Sequence, residues 1–116
     1  MIKIPKNNSD KLIAKQEAAH QKELDLIAKQ FLDVLKKYDS AEICCSEHMI
    51  GYQGSTCYHH MCDTLEVAKQ FKAQGYYCYY YDFYNNHNVN QKAVCIRKTP
   101  MLDSEITRGS RTWHEI

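Results

Sequence analysis

A recurring pattern of apolar and polar residues runs through the first third of the chain. From residue 9 to residue 39 no glycine or proline interrupts it, and Ser9 or Asn8 stands where a helix cap is expected. The stretch predicts one long amphipathic helix over residues 9–39. Its apolar seam is best developed in the second half and consists of Leu24, Ile27, Phe31, Val34 and Tyr38.

The seam has two interpretations. Glu17 and His20 interrupt its first half, so the heptad pattern is incomplete, and the seam either packs on the domain's own sheet or joins a second chain as an oligomer contact. An uninterrupted helix of this length is longer than a small domain is wide, because each helical residue adds about 1.5 Å. We therefore expect part of the helix to project or to meet another chain.

Further patterns predict a second helix and a hairpin. Residues 56–74 show helical spacing of apolar side chains, and Gly75 is well placed to end a helix in the left-handed conformation. A run of tyrosines and a polar loop lead into a returning strand, which predicts a β-hairpin over residues 76–98. A short strand is expected at residues 41–45.

These elements predict an α+β fold. A single domain over residues 1–98 would hold the long helix, the shorter helix and the hairpin in a small sheet, and residues 99–116 would form a loose, mostly polar tail. The large aromatic side chain of Trp113 would anchor that tail on its own domain or on a neighbour.

Both faces of the tyrosine-rich strand are aromatic, because alternate residues of a strand face opposite sides. One face must cover the helices, and so few elements remain that we expect the other face to be exposed. Exposed tyrosines are typical of binding surfaces. The predicted partner-binding residues, called the aromatic set below, are Tyr76, Tyr77, Tyr79, Tyr80, Tyr81, Phe83, Tyr84 and Trp113.

Nucleic acid is the alternative partner for this strand. Bases stack on aromatic rings, and Lys92, Arg97 and Lys98 on the returning strand could hold phosphates beside them. The formal net charge of the chain is only +1, however, so a protein partner is favoured over nucleic acid.

One segment is rich in metal-binding residue types. Seven cysteines and histidines lie within residues 44–62. Four of them would suit the tetrahedral coordination of zinc, and a structural zinc site would use Cys45, His48, Cys57 and Cys62. No CxxC pair is present and the spacing matches no zinc-finger pattern, so reduced cysteines that fill gaps in the core explain the segment more simply.

The same segment permits an enzymatic hypothesis. Cys57 could act as a nucleophile with His59 or His60 as its base, and the amides after Gly54 could stabilise an oxyanion. Nothing in the spacing singles out this chemistry. The sequence therefore predicts no catalytic residues, and a cysteine-dependent enzyme stays an alternative.

Composition limits the class of protein. A content of 44% hydrophobic and 25% charged residues is typical of a globular domain. No apolar run approaches the length of a membrane span and the first residues lack the apolar core of a signal peptide, so we expect a cytoplasmic protein with reduced cysteines and no membrane partner.

We interpret the chain as a non-enzymatic interaction or assembly protein without a required cofactor. It would bind a protein partner, or itself as a homo-oligomer, through the aromatic set and the long helix. In general layout it is similar to the small accessory and structural proteins that bacteriophages encode, although no specific motif carries the likeness. Such a protein would act in the host cytoplasm or the virion.

Overall fold

The computed structural model describes residues 2–47, 59–84, 88–109 and 111–116. Within these residues the chain forms an α+β fold, as predicted. Its elements, in chain order, are α1 (Asp10–Leu35), β1 (Ser40–Ser46), β2 (His59–His60), α2 (Met61–Ala73), β3 (Tyr77–Tyr84), β4 (Asn90–Arg97), α3 (Asp103–Ile106), β5 (Thr107–Arg108), β6 (Arg111–Thr112) and β7 (His114–Glu115).

A mixed sheet in the order β2-β1-β4-β3-β7 is the centre of the fold. The strands β3 and β4 pair antiparallel, and β1 pairs antiparallel with the other side of β4. The register places Ile96 of β4 between Ala41 of β1 and Cys78 of β3. The short β2 lies parallel to β1 at one edge, and β7 closes the other edge beside β3.

Both long helices lie on one face of this sheet. The rings of Phe31 and Phe71 meet edge-on with centroids 5.9 Å apart, and His20 contacts Asp63, so α1 and α2 run in the same direction side by side. The seam supplies the centre of the core, where Leu24, Ile27 and Phe31 are buried. These three residues are therefore unavailable to a second chain, whereas Val34 and Tyr38 are exposed.

The boundaries of α1 differ from the predicted 9–39. The Ser9 side chain makes no capping bond to the helix and instead donates to Asn7. At the other end, the backbone N–H of Lys98 donates to the Asp39 carbonyl at 2.9 Å. The chain must extend by this point to pair with β4, so sheet formation ends the helix at Leu35 although no glycine or proline stops it.

The second helix begins at Met61 rather than at residue 56. Residues 56–58 lie outside the described part of the chain, and His59 and His60 pair with β1 as strand. The imidazole of His60 then accepts a hydrogen bond from the Cys62 backbone N–H and caps the helix. Gly75 follows the helix with a φ of +93°, which confirms its predicted role as a left-handed terminator.

Residues 99–116 lie against their own domain. The strands β5 and β6 form a small hairpin, and β7 pairs with Tyr79 and Tyr80 of β3. Ile116 packs on the core, and its backbone N–H donates to the Cys78 carbonyl at 3.1 Å. The C-terminal segment, the name used below for residues 99–116, thus covers the sheet face opposite the helices with its first part and joins the sheet edge through β7, although the sequence had predicted a loose tail.

Candidate functional site

The odd-numbered aromatic residues of β3 face the C-terminal segment. Tyr79 is buried, and its hydroxyl oxygen accepts a hydrogen bond of 3.0 Å from the Met101 backbone N–H. Half-buried Tyr81 meets Trp113 edge-on with ring centroids 4.6 Å apart, and Phe83 lies 5.8 Å from Tyr81. The middle of the face that we expected to be open is therefore covered by the chain itself.

The even-numbered aromatic residues face the helices. Tyr76 packs edge-on against Phe71, and half-buried Tyr80 lies beside His114 with ring centroids 5.3 Å apart. Tyr84, at the end of the strand, is exposed.

The exposed tyrosines of β3 do not form one patch. Tyr77 and Tyr84 are exposed, but they stand at opposite ends of the strand, about 23 Å apart at a rise of about 3.3 Å per residue, and on opposite faces. Binding hot spots need clustered rings in a common pocket. Among the described residues, the aromatic set thus stabilises the C-terminal segment more than it offers a continuous surface.

A cavity of about 480 Å³ lies between the sheet and the C-terminal segment. Its walls carry charges of both signs, since Arg97 forms an ion pair with Glu105 at 2.5 Å, and Glu42 and Arg111 face the same space. The Arg111 guanidinium is also 5.3 Å from the centroid of the Tyr81 ring. Desolvation raises the pKa of Glu42, although the charge of Arg111 opposes this. The lining holds three arginines, Arg97, Arg108 and Arg111, against the two carboxylates of Glu42 and Glu105, so the cavity carries a small excess of positive charge.

The three cations proposed to hold phosphates are all engaged within the chain. Lys92 contacts Asp82 on the neighbouring strand, Arg97 contacts Glu105, and Lys98 Nζ is 3.9 Å from Asp39 Oδ1. Lys92 Nζ also lies 5.0 Å from the centroid of the Tyr80 ring. A phosphate backbone would have to displace Asp82 and Glu105 from Lys92 and Arg97, whereas the long, exposed contact of Lys98 with Asp39 would oppose it little.

The cysteine and histidine segment is only partly described, because His48 and Cys57 lie outside the described residues. Of the two remaining zinc candidates, Cys45 is buried in the core and its thiol donates to the Lys92 carbonyl at 3.4 Å, whereas Cys62 is exposed on α2. The structure thus places the Cys45 thiol in the interior and the Cys62 thiol at the surface.

The two histidines of this segment hold local structure. His59 Nε2 lies 2.8 Å from Gln30 Oε1, which links β2 to α1, and His60 caps α2. The other ring nitrogen of His59, Nδ1, is buried without a hydrogen bond to any described residue. This arrangement explains both histidines as structural residues, apart from that one nitrogen.

The N-terminal part of α1 extends beyond the domain. None of residues 2–23 is buried, although Ile2, Ile4, Leu12 and Ile13 lie there, and Leu24 is the first residue of the helix to enter the core. The molecule measures 65 Å along its longest axis and only 34 and 23 Å along the others. We call residues 2–22 the arm.

A cluster of three side chains stands at the root of the arm. His20 Nε2 is 3.0 Å from Asp63 Oδ1 and 3.8 Å from Glu66 Oε2, and the ligand atoms of all three lie within 4.8 Å of one another. The sequence pattern did not predict this cluster, because His20 is 43 or more positions away from the two carboxylates. In the sequence, His20 was only a polar residue that interrupts the seam. The spacing of Asp63 and Glu66 along one helix is too common to signal a site alone.

No protein-family model, curated protein or solved structure matches the chain. Within the described residues, the helices are too short or too polar to cross a membrane.

Proposed function

We propose that the protein is a non-enzymatic interaction protein that binds a protein partner through its arm. The observation that carries the proposal is that four large apolar side chains of the arm remain in solvent in a chain whose other layers pack together. Burial of one such side chain stabilises a structure by about 1.5–3 kcal/mol. A partner that covered several of them would gain enough to offset the ordering of the arm.

An exposed apolar row continues from the arm onto the domain. Leu12, Ala19 and Leu26 are exposed and follow one another at intervals of seven residues, so they lie near one side of α1. A row of this kind is what an amphipathic helix presents when it lies in the groove of a partner. The proposed contact therefore reaches from the arm to the first turns that pack on the domain.

The charge of the arm indicates the chemistry of the partner. Residues 2–22 contain five lysines, Lys3, Lys6, Lys11, Lys15 and Lys22, against the two carboxylates of Asp10 and Glu17. Two copies of the arm would repel each other, whereas a groove with an apolar floor and acidic rims would attract it. We therefore favour a different, acidic protein over a second copy of this chain.

Site-specific photocrosslinking tests the proposal. Leu12 and Leu102 are matched controls, because their exposed fractions are 68% and 67% and Leu102 lies on the C-terminal segment. A photoreactive residue at position 12 should give one discrete adduct in an extract of the native source, and the same residue at position 102 should not. The exchange Ile13→Ser should weaken the adduct from position 12, because it removes a neighbouring apolar contact.

Two results would overturn the proposal. Equal adduct patterns from positions 12 and 102 would show that the arm is not a distinct surface. An adduct from position 12 with the mass of two copies of this chain would identify a second copy as the occupant, and sedimentation of the purified protein would then show a concentration-dependent mass.

A further inference from the structure

We infer that His20, Asp63 and Glu66 bind a first-row divalent transition-metal ion, of which Zn²⁺ and Co²⁺ are the useful probes. The site would join α1 to α2 at the root of the arm. This inference is independent of the proposed function, because it concerns the purified chain alone.

The distances suit a metal ion. Ligand atoms about 2.1 Å from an ion are separated by about 3.0 Å at adjacent octahedral positions and by about 3.4 Å at tetrahedral positions. The distance from His20 Nε2 to Asp63 Oδ1 is 3.0 Å, and that to Glu66 Oε2 is 3.8 Å. Small rotations of the two carboxylates would therefore bring all three atoms to bonding distance of one ion.

The charges of the cluster also favour a cation. Asp63 and Glu66 lie one turn apart on α2, and within the described chain no lysine or arginine comes within 4.0 Å of either carboxylate. The cluster therefore sets two carboxyl groups against a single imidazole. A divalent ion would balance both carboxylates at once.

The ligand types select the class of ion. An imidazole nitrogen suits Zn²⁺, Co²⁺ and Ni²⁺, whereas Mg²⁺ and Ca²⁺ prefer sites made only of oxygen atoms. All three side chains are partly exposed, so water can fill the remaining positions around the ion. With one ligand on α1 and two on α2, the bound ion would hold the root of the arm against the domain.

The test measures metal binding and thermal unfolding of the full chain after treatment with EDTA. At a concentration a hundredfold above Kd, Zn²⁺ should raise the Tm by roughly 10 °C, and Mg²⁺ should have no comparable effect. The variant Glu66→Gln should weaken binding of Co²⁺ by roughly tenfold or more, since it removes a ligand. The control Asp33→Asn, which changes an exposed carboxylate of α1 paired with Lys29 and Lys36, should bind as the parent does.

The absorption of bound Co²⁺ separates this site from one made of cysteines. Ligation by one imidazole and two carboxylates gives no sulfur-to-metal charge-transfer band, and paramagnetic Co²⁺ should broaden the NMR signals of the His20 ring first. A strong sulfur band at one equivalent, or binding that His20→Asn and Glu66→Gln leave unchanged, would overturn the inference. The Tm of both variants in EDTA should match that of the parent, which shows that they fold.

Discussion

Tyr81 of β3 and Trp113 of the C-terminal segment meet edge-on, with ring centroids 4.6 Å apart. Pairs of this geometry contribute about 0.5–1.5 kcal/mol beyond the area that they bury. The contact connects the hairpin to the last residues of the chain and turns a segment of polar composition into a layer of the fold. It also removes Tyr81 from the surface on which a partner was expected to bind.

Replacement of the tryptophan should destabilise the domain. We expect Trp113→Ala to lower the free energy of unfolding by about 2 kcal/mol, less than for a fully buried ring, because Trp113 is only partly buried. Urea titration followed by circular dichroism measures this change. Trp113→Phe is the control and should retain most of the stability, since it keeps an aromatic ring against Tyr81. An unchanged midpoint for Trp113→Ala would show that the segment contributes nothing to the fold.

The arm should be dispensable for folding. Deletion of residues 2–17 removes no buried side chain and leaves the His20 cluster in place, so the free energy of unfolding should change by no more than about 0.5 kcal/mol. Deletion of residues 99–116 is the contrasting case and should lower it markedly, because Ile116 and the pairing of β7 are lost. Similar losses from both deletions would mean that the arm packs on the domain.

Stability should fall in acid through two particular carboxyl groups. Desolvation by itself would raise the pKa of Asp82, but hydrogen bonds from Lys92 and Asn90 outweigh it and lower that pKa. The hydrogen bond from Arg97 lowers the pKa of Glu105. A group whose pKa is lower in the folded state stabilises the protein above its unfolded pKa. That stabilisation is lost as the pH falls through the folded pKa.

Variants can identify these two groups. Between pH 7 and pH 3, Asp82→Asn and Glu105→Gln should each show a shallower loss of urea stability than the parent protein. Parallel pH profiles for all three proteins would contradict the assignment.

Glu42 should have the opposite dependence. Desolvation raises its pKa, so its contribution to stability is present below the unfolded pKa and is lost as the pH rises through the folded pKa. At pH 7 the variant Glu42→Gln should therefore be slightly more stable than the parent in the same urea titration, and the difference should vanish near pH 3. A variant that is less stable at pH 7 would show that Arg111 holds the ionised carboxylate more strongly than burial penalises it.

The cysteines should differ widely in reactivity. Burial raises the pKa of Cys78 to about 11 and that of Cys95 to about 12, whereas Cys62 is exposed. Because the thiolate is the reactive form, Cys62 should be alkylated at least roughly a hundredfold faster than either buried thiol at pH 8. Timed alkylation with peptide mapping measures the rates, and urea should equalise them. Fast labelling of Cys78 or Cys95 in native protein would show that the core opens there.

Local patterns in the sequence predicted the helices and strands, but not which of them pack against one another. Helical spacing predicted which side of α1 is apolar, the tyrosine run indicated β3, and Gly75 marked the end of α2. Each of these signals depends only on residues that are close in the chain. Whether Leu24 and Phe31 face a second chain or their own sheet depends on which elements cover them, and the spacing is the same in both cases. The sequence therefore left this choice open.

The contacts that escaped prediction join distant residues. The pairing of β7 with β3 depends on two residues at the end of the chain, too few for a strand pattern. The convergence of His20 with Asp63 and Glu66 depends on how α1 lies against α2. The extent of the arm follows from the same packing, since α1 is covered only from Leu24 onward.

Hydrogen exchange of the arm tests the central claim most directly. In the purified protein, the amides of residues 10–19 should exchange much faster than those of residues 24–35, because an unsupported and uncapped helix end frays. In the complex isolated from the native source, exchange of residues 10–19 should slow by at least roughly tenfold. Exchange that stays equally fast in the complex would contradict the account, as would full protection of the arm in the purified monomer.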